Sequence, residues 1–305
     1  MSLCVNNISK SYGNKKVVDN LSFTLDKPCI FGLLGTNGAG KTTTIRMILN
    51  ILKIDEGTIT WNGQDVDRKK VNFGYLPEER GLYPKSKIIT QLLYFAELKG
   101  MKKELALKSI NKWAKILKVS EYLNLTPDKL SKGNQQKIQF MIAIIHNPDL
   151  IVLDEPFSGL DPVNSKLIKE VILNLVKQGK YIIMSAHEMY TIEEFCTDLV
   201  ILNKGKTVLQ GNLKEIRNSY PINKLLLETK EDIKKYVNKY KLTINNNHEN
   251  IYEIGITSED IAYKLLKDLV DNKIKIIKFE LARPSLNEIF IEKVGEKNER
   301  YLDSN

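Results

Sequence analysis

Residues 29–42 read Cys29-Ile30-Phe31-Gly32-Leu33-Leu34-Gly35-Thr36-Asn37-Gly38-Ala39-Gly40-Lys41-Thr42, and this stretch decides the fold of the chain. An apolar run leads into a glycine-rich turn with the pattern G-x-x-x-x-G-K-T, and a helix-like run begins at Thr43. Glycines let the backbone turn tightly and aim its N–H groups at phosphates, at the positive end of the helix that follows. The spacing predicts that Lys41 reaches the β- and γ-phosphates and that the Thr42 hydroxyl ligates Mg²⁺. The stretch therefore predicts a nucleoside triphosphate site formed by residues 35–43.

Composition limits the kind of protein this chain can be. Its 305 residues are enough for one large and one small domain, and its three cysteines show no metal-like spacing. No run approaches the roughly 18 to 20 apolar residues of a membrane span, and no export signal is evident, so we expect a chain that stays in a reducing cytosol. The net charge of +9 is spread through helical stretches, which favours a solvated surface over a nucleic-acid or membrane-binding patch.

The order of strand-like and helix-like segments predicts two domains. Strands dominate from residue 1 to about 62, helices fill an insertion over about 82–148, and apolar strands at 150–153 and 181–184 flank a helix. Strands that alternate with helices indicate a parallel α/β sheet, so we assign 1–218 to one α/β domain.

The rest of the chain predicts a smaller α/β domain over 222–295, followed by a frayed tail at 296–305. Strands are expected at 225–227, 242–244, 251–254 and 274–279, and helices at 231–240 and 258–269. The resulting order, β-α-β-β-α-β, is that of a ferredoxin-like domain. Ser285 and Glu288 have the spacing of a capping box at the start of a closing helix.

A pair of carboxylates follows the second apolar strand. Asp154 and Glu155 come directly after Leu150-Ile151-Val152-Leu153. This position predicts that Asp154 binds Mg²⁺ at the carboxyl end of the strand and that Glu155 polarises a water molecule. A purely structural role for Glu155 stays open from these residues alone.

Four further motifs name a family. They occur in the order Ser11-Tyr12-Gly13, Leu130-Ser131-Lys132-Gly133-Asn134-Gln135-Gln136-Lys137, Ser158-Gly159-Leu160-Asp161 and Ser185-Ala186-His187. In that order, they resemble the adenine-stacking aromatic, the L-S-G-G-Q signature, the dimer-contact loop and the switch histidine of the ABC ATPases. The phosphate loop and Asp154-Glu155 also match motifs of this family. This resemblance covers residues 1 to about 215. The segment from Phe279 to Phe290 is similar to the accessory domain of bacterial ABC exporter ATPases of the sodium-efflux and drug-resistance type.

The resemblance implies a shared active site. Two subunits would face each other head to tail, so that Ser131 and Gly133 of one meet the γ-phosphate held by Lys41 of the other. Glu155 would act as general base and His187 would hold the γ-phosphate and the attacking water. ATP and Mg²⁺ are the implied cofactors. A second ABC ATPase subunit and an integral membrane permease are the implied partners, at the inner face of the cell membrane, with no specific nucleic acid.

Two of the residues carried over from the family have a second interpretation. Tyr12 would stack on adenine, but an aromatic beside a glycine is also common in turns. Asp161 would contact the partner subunit, but it also precedes Pro162, as the residue that caps a helix does. Both roles of Asp161 are compatible.

The sequence departs from the family pattern at three positions. Glu78, in Gly74-Tyr75-Leu76-Pro77-Glu78, occupies the place usually filled by a glutamine that senses Mg²⁺. It keeps an oxygen ligand for Mg²⁺ but adds a charge beside Asp154 and Glu155, and we hypothesise that it tightens the dependence on Mg²⁺ without abolishing hydrolysis. Lys132 and Asn134 replace a glycine and the terminal glutamine of the signature, whereas the predicted phosphate contacts are retained.

The leading hypothesis for function is therefore the ATP-hydrolysing subunit of an ABC transporter, in an exporter with separate membrane-spanning subunits. The alternative is a soluble ABC ATPase that acts on the ribosome or on nucleic acid, which normally carries two cassettes where this chain has one. DNA-repair and chromosome ATPases need a long coiled coil between the phosphate loop and the signature, and the segment from Thr42 to Leu130 is too short for one. Sugar-importer ATPases usually end in a longer, all-β domain.

Overall fold

The structure, a computed structural model, describes residues 1–67, 71–79, 81–186 and 189–302, with side chains except at 195 and 295–302. The chain divides into two compact units, Met1–Gly211 and Asn212–Asn305. Each unit has a hydrophobic core of its own.

The first unit is mixed α/β. Its strands are β1 (Leu3–Tyr12), β2 (Lys15–Leu25), β3 (Ile30–Gly35), β4 (Glu56–Trp61), β5 (Gln64–Asp65), β6 (Phe73–Leu76), β7 (Leu150–Leu153), β8 (Tyr181–Ala186), β9 (Asp198–Asn203) and β10 (Lys206–Asn212). Its helices are α1 (Lys41–Ile48), α2 (Ile88–Leu98), α3 (Lys103–Ile116), α4 (Lys132–Ile144), α5 (Pro162–Lys177) and α6 (Met189–Phe195). Two 3₁₀ turns, Ser120–Tyr122 and Pro127–Lys129, lie between α3 and α4.

Two sheets form the body of this unit. β2, β1, β4 and β5 form an antiparallel sheet in that order. The other six strands follow the order β10-β9-β3-β8-β7-β6, in which β3 is parallel to β8 and β9, and β7 is parallel to β6 and β8. Every residue of β3, β7 and β8 is buried, as expected for parallel strands covered on both faces. The carboxyl ends of β3, β6 and β7 lie at one edge of the sheet, where open α/β sheets bind ligands.

The three helices α2, α3 and α4 lie between β6 and β7 in the chain. α4 packs closely on β6, because a Cβ atom added at Gly74 would lie 2.1 Å from the carbonyl oxygen of Ala143. Only a residue without a side chain permits this approach. The helix that begins at Lys132 is thereby fixed against the strand that leads to Glu78.

The second unit is the predicted ferredoxin-like domain. Its elements are α7 (Leu213–Ser219), β11 (Lys224–Glu228), α8 (Lys234–Lys239), β12 (Thr243–His248), β13 (Ile251–Gly255), α9 (Glu259–Asp271), β14 (Lys278–Ala282) and α10 (Leu286–Leu302). The sheet has the order β12-β13-β11-β14 and every neighbouring pair is antiparallel. Leu225 and Leu227 of β11 pack in one core with Leu265 and Leu269 of α9. The β-α-β-β-α-β prediction is therefore confirmed.

The last strand and the C-terminal tail differ from the sequence prediction. A strand is predicted at 274–279, but β14 begins at Lys278, paired with Glu228. The backbone N–H of Lys275 donates to the side chain of Glu231 at 3.0 Å and not to a neighbouring strand, whereas the N–H of Ile277 already donates to the carbonyl of Glu228 at 2.8 Å. The segment 296–302, predicted to be frayed, continues α10, and residues 303–305 lie outside the described residues.

The closing helix starts as the sequence predicts. The backbone N–H of Ser285 donates to Glu288 Oε2 at 2.6 Å, and the backbone N–H of Glu288 donates to Ser285 Oγ at 3.3 Å. These reciprocal bonds form a capping box, which satisfies N–H groups that the helix leaves free at its start.

Candidate functional site

A glycine-rich loop connects β3 to α1 at the carboxyl edge of the parallel sheet. Gly35 and Gly40 have φ of 149° and 104°, and a Cβ atom at either would lie within 2.6 Å of a backbone oxygen. These positions accept glycine only, because other residues meet both backbone strain and a clash. The loop closes where the backbone N–H of Ala39 donates to the carbonyl of Thr36 at 3.0 Å.

The Lys41 side chain folds back into this loop. Its Nζ donates to the carbonyl oxygens of Gly35, at 2.8 Å, and Thr36, at 3.4 Å. Burial lowers the pKa of Lys41, while the nearby charges of Glu155 and Asp154 raise it. The loop therefore holds a cation close to two carboxylates, at the N-terminus of a helix.

Asp154 is almost completely buried at the end of β7. Burial raises the pKa of its carboxyl group, and hydrogen bonds from Ser185 and Thr42 act in the opposite direction. Ser185 Oγ donates to Asp154 Oδ1 at 2.5 Å. Glu78 raises the pKa of Asp154 further through its charge. The site thus holds a carboxylate whose negative charge is poorly compensated by the protein.

Glu155 follows in an unusual backbone conformation. Its φ is 52°, in the left-handed region that residues with side chains rarely adopt. Its backbone N–H donates to Ser185 Oγ at 2.9 Å. The Ser185 hydroxyl therefore bonds both carboxylate residues at once, donating to Asp154 and accepting from Glu155.

These groups surround one cavity of about 350 Å³. It is lined by Val17, Asn37, Gly38, Ala39, Gly40, Lys41, Thr42, Thr43, Glu78, Asp154 and Glu155. The structure thus brings together the predicted phosphate loop, except Gly35 and Thr36 at its start, with all three predicted carboxylates. A lining that combines helix N-terminal residues, a lysine and carboxylates suits a polyphosphate and a divalent cation.

The donor set fits Mg²⁺. Asp154 Oδ2 is buried and has no hydrogen-bond partner among the described residues, and the Thr42 hydroxyl is close enough to bond the same carboxylate. Among the described residues, no three His, Cys, Asp or Glu side chains converge as a complete set of metal ligands. Mg²⁺ commonly binds through one or two protein groups together with substrate phosphates and water, and Thr42 and Asp154 are groups of that kind.

A second cavity, of about 440 Å³, adjoins the first. Residues that line it run from Glu155 to Leu160 and continue with Ser165, Lys169, Ser185, Ala186 and Thr191. Glu155 lines both cavities and is the residue they share.

The signature residues lie apart from the phosphate cavity. Ser131 caps α4, accepting from the backbone N–H of Asn134 at 3.3 Å, and a Cβ atom at Gly133 would lie 3.3 Å from the amide of Asn164. Asp161 caps α5 by accepting from the backbone N–H groups of Val163 at 3.0 Å and Asn164 at 2.9 Å. The predicted cap at Asp161 is confirmed. The structure therefore joins the signature to the predicted dimer-contact loop, and neither lines the cavity that holds Lys41.

Two predicted residues are outside this arrangement. Tyr12, at the end of β1, is half exposed and does not line the phosphate cavity. His187 lies outside the described residues.

The sequence prediction missed two residues that hold the site together. The motifs contain Ser185 beside His187 and Gln136 within the signature octet, but they predict no role for either residue. Gln136 is buried on α4, and its Nε2 donates to the carbonyl oxygen of Pro156 at 3.2 Å. A polar residue on the buried side of a helix is a usable signal, but its partner twenty residues away cannot be identified from spacing.

Comparison with known families gives two matches. The ABC transporter family matches residues 18–158, and the C-terminal domain of ATP-binding proteins like DrrA1-3 matches residues 211–294. No helix within the described part of the chain has the length and apolar character needed to cross a membrane.

Individual relatives agree with the family matches. The chain is 46% identical over 303 residues to the ABC transporter ATP-binding protein YhaQ of Bacillus subtilis, covering 96% of this chain and 98% of the relative. It is 28% identical to the linearmycin resistance ATP-binding protein LnrL of the same organism, over 95% of this chain and 97% of that protein. A solved ATP-binding subunit of an ABC transporter aligns with a TM-score of 0.67 at 29% identity, covering 72% of this chain and 93% of that structure.

Proposed function

Since this chain belongs to the ABC transporter family as an ATP-binding subunit, we propose that it hydrolyses ATP and drives export through a separate membrane permease. The observation that carries the proposal is the phosphate cavity, in which Lys41, Asp154 and Glu155 meet. Binding alone would need the glycine-rich loop and the lysine. The pair of carboxylates at the end of β7, with Asp154 buried and Glu155 half-buried, supports hydrolysis in addition.

The chemistry follows from the positions of the side chains. Lys41 and the N-terminus of α1 stabilise the negative charge that the β- and γ-phosphates carry. Glu155, beside them, accepts a proton from the attacking water or orients it. Its backbone N–H is bonded to Ser185, which fixes the main chain from which the carboxylate extends.

Thr42 and Asp154 would hold Mg²⁺, with Glu78 as the third candidate ligand. Bound there, Mg²⁺ would neutralise charge on the phosphate oxygens. The unpaired Asp154 Oδ2 supports this assignment, because a buried carboxylate oxygen needs a partner.

The active site is completed by a second subunit in this proposal. Ser131 and Gly133 do not line the cavity of their own chain, and they sit at the start of a helix of 13 residues. Facing the γ-phosphate of a partner, this helix start would contribute N–H groups and a favourable dipole. Asp161 would contact the partner subunit next to this helix start. Tyr12 would contact adenine, and His187 would contact the γ-phosphate. ATP would then hold the dimer together, and its hydrolysis would release it.

The proposal of export rests on the names of relatives. LnrL is named for resistance to linearmycin, and LptB of Haemophilus influenzae, 29% identical over 74% of this chain, is named for lipopolysaccharide export. The chain would lie in the cytoplasm, peripheral on the inner face of the membrane through its permease. No specific nucleic-acid partner is expected, and the single cassette does not favour a ribosomal role.

The substitution Glu155→Gln tests the proposal. Without the carboxylate, ATP should bind and hydrolysis should fall by at least about a hundredfold, so the ATP-bound dimer accumulates. Light scattering during gel filtration with ATP and Mg²⁺ should show a dimer for this variant and a monomer for the double variant with Lys41→Ala. A Glu155→Gln protein that stays monomeric, or that hydrolyses ATP at the wild-type rate, would contradict the mechanism.

A further inference from the structure

The backbone of Glu155 has a strained conformation, which neighbouring groups must stabilise. A left-handed φ at a residue with a side chain is strained and persists only where neighbours enforce it. Pro156 follows, and proline has no N–H group with which to continue the strand. The Glu155 carbonyl accepts from the backbone N–H of Ser158 at 3.1 Å, which closes the turn within the loop itself.

Two side chains supply hydrogen bonds on either side of the Glu155 carbonyl. Ser185 Oγ accepts from the Glu155 N–H at 2.9 Å on one side. On the other side, Gln136 Nε2 donates to the Pro156 carbonyl at 3.2 Å, and both residues are buried. A buried carbonyl needs a donor, and Gln136 fills this need at Pro156.

Gln136 belongs to α4, the helix that starts with the signature. Ser131 caps this helix and Gln136 lies little more than one turn further along. Three residues beyond, Gln139 Nε2 donates to the carbonyl of Glu79 at 3.3 Å. One helix therefore bonds the loop after β6 and the loop after β7, the two loops that carry the carboxylates of the phosphate cavity.

We propose that Gln136 is a positioning residue for hydrolysis, which keeps the Glu155 carboxylate at its working angle by bonding the Pro156 carbonyl. The inference rests on the proposed role of Glu155 and adds a link within one chain. The helix α4 presents Ser131 and Gly133 to the nucleotide of the partner subunit. The same helix positions the Glu155 carboxylate, which acts on the nucleotide bound by its own subunit. A shift of α4 would change the hydrolysis rate of the same subunit without altering its ATP-binding groups.

The variants Gln136→Met and Gln136→Glu test this link in the full chain. Methionine keeps the length and volume of glutamine but removes the donor, and glutamate replaces the donor with an acceptor. In both, kcat for ATP hydrolysis should fall about tenfold or more with KM for ATP unchanged within about twofold. Combined with Glu155→Gln, Gln136→Met should still form the ATP-dependent dimer.

Gln91→Met is the matched control. Gln91 is a buried glutamine of the same unit that donates to the carbonyls of Tyr83 and Ser86 at 2.9 and 2.7 Å, and none of these three residues lines the phosphate cavity. Its loss should lower the melting temperature at least as much as loss of Gln136 while kcat stays within about twofold of the wild-type value.

The outcomes separate the inference from the proposed function. Wild-type kcat in both Gln136 variants, or a fall in kcat that Gln91→Met reproduces, overturns the positioning role and leaves ATP hydrolysis standing. A wild-type protein without ATPase activity overturns both. If Gln136→Met fails to fold, a folded Gln136→Glu protein with a reduced kcat and an unchanged KM still supports the role.

Discussion

His146 is a buried histidine whose ring must stay neutral. Its Nε2 lies 2.8 Å from the carbonyl oxygen of Phe73, and its Nδ1 has no partner among the described residues. Burial lowers the pKa of His146 to about 4, and the positive charges of Lys99 and Lys180 contribute. Protonation would place a charge and an unpaired N–H group in the protein interior.

This depressed pKa predicts a loss of stability in mild acid. The unfolded chain binds the proton near pH 6.5 and the folded chain only near pH 4, so the contribution is complete above the unfolded value and lost as the pH falls. Between pH 7 and 4.5, His146 should cost the wild-type protein about 2 kcal/mol of unfolding free energy. His146→Gln keeps a donor for Phe73, and its denaturation curves should lack this part of the pH dependence.

His248→Gln provides the control. His248 is exposed on β12, so its replacement should leave the acid dependence of the first unit unchanged. A wild-type protein and a His146→Gln variant with parallel stability profiles from pH 7 to 4.5 would show that His146 is protonated without penalty.

Glu78 predicts a particular response to Mg²⁺. Its charge raises the pKa of Asp154 in the shared cavity, so the metal-free site holds repelling carboxylates. With Glu78→Gln, half-saturation in a Mg²⁺ titration of fluorescent ATP binding should move several-fold higher, because the cation meets less negative charge. The melting temperature of the variant in EDTA should rise. Hydrolysis should persist.

Glu79→Gln is the neighbouring control, because Glu79 does not line the cavity. It should reproduce the wild-type Mg²⁺ titration. The same midpoint in Glu78→Gln and the wild type would refute the proposed effect of the extra carboxylate.

At the residue scale, the sequence predicts well what depends on neighbours in the chain. The cap at Asp161 and the capping box at Ser285 follow from spacings of three residues or fewer, and both are confirmed. The bond from Gln136 to Pro156 spans 20 residues and that from Glu155 to Ser185 spans 30. These depend on how strands and helices stack, which a local pattern does not contain.

At the element scale, the contact between α4 and β6 is the tightest point around the site. An added Cβ atom at Gly74 would lie 2.1 Å from the Ala143 carbonyl and 2.8 Å from Pro148. Gly74→Ala should therefore destabilise the protein by about 2 kcal/mol or more, because the helix must move away from the strand. Chemical denaturation of the full chain measures this loss.

Gly81→Ala tests the same exchange where space is available. A Cβ atom at Gly81 would meet nothing within 4 Å, so the change should be neutral or slightly stabilising. Equal stability of the Gly74→Ala and Gly81→Ala variants would contradict the close packing of α4 on β6.

The elements themselves were predictable to different degrees. The apolar runs at β3, β7 and β8 are fully buried and mark their strands unambiguously. The strand predicted at 274–279 is wrong by four residues at its start, because Ile274 and Ile276 pack against the core from a loop. Burial of alternate residues alone does not distinguish this loop from a strand.

At the scale of the whole molecule, each of the two units has a hydrophobic core of its own that stabilises it. In the second unit, a four-stranded sheet is covered by a core that includes Leu225, Ile254, Ala262, Leu265 and Leu269, all fully buried. The order of its elements was readable from the sequence because each is short and bounded by turns. The pairing of β11 between β13 and β14 follows from the antiparallel topology and not from any single residue.

Residues 212–305 should therefore fold when they are produced alone. The core of this unit is supplied by its own strands and helices, and a domain of this size can bury enough apolar surface to fold without the rest of the chain. Circular dichroism of the fragment should show one cooperative thermal transition. Leu265→Ala should lower its unfolding free energy by about 3 kcal/mol, since the side chain is fully buried in that core. A fragment that melts without a transition, or one indifferent to Leu265→Ala, would mean that Met1–Gly211 is required to order this sheet.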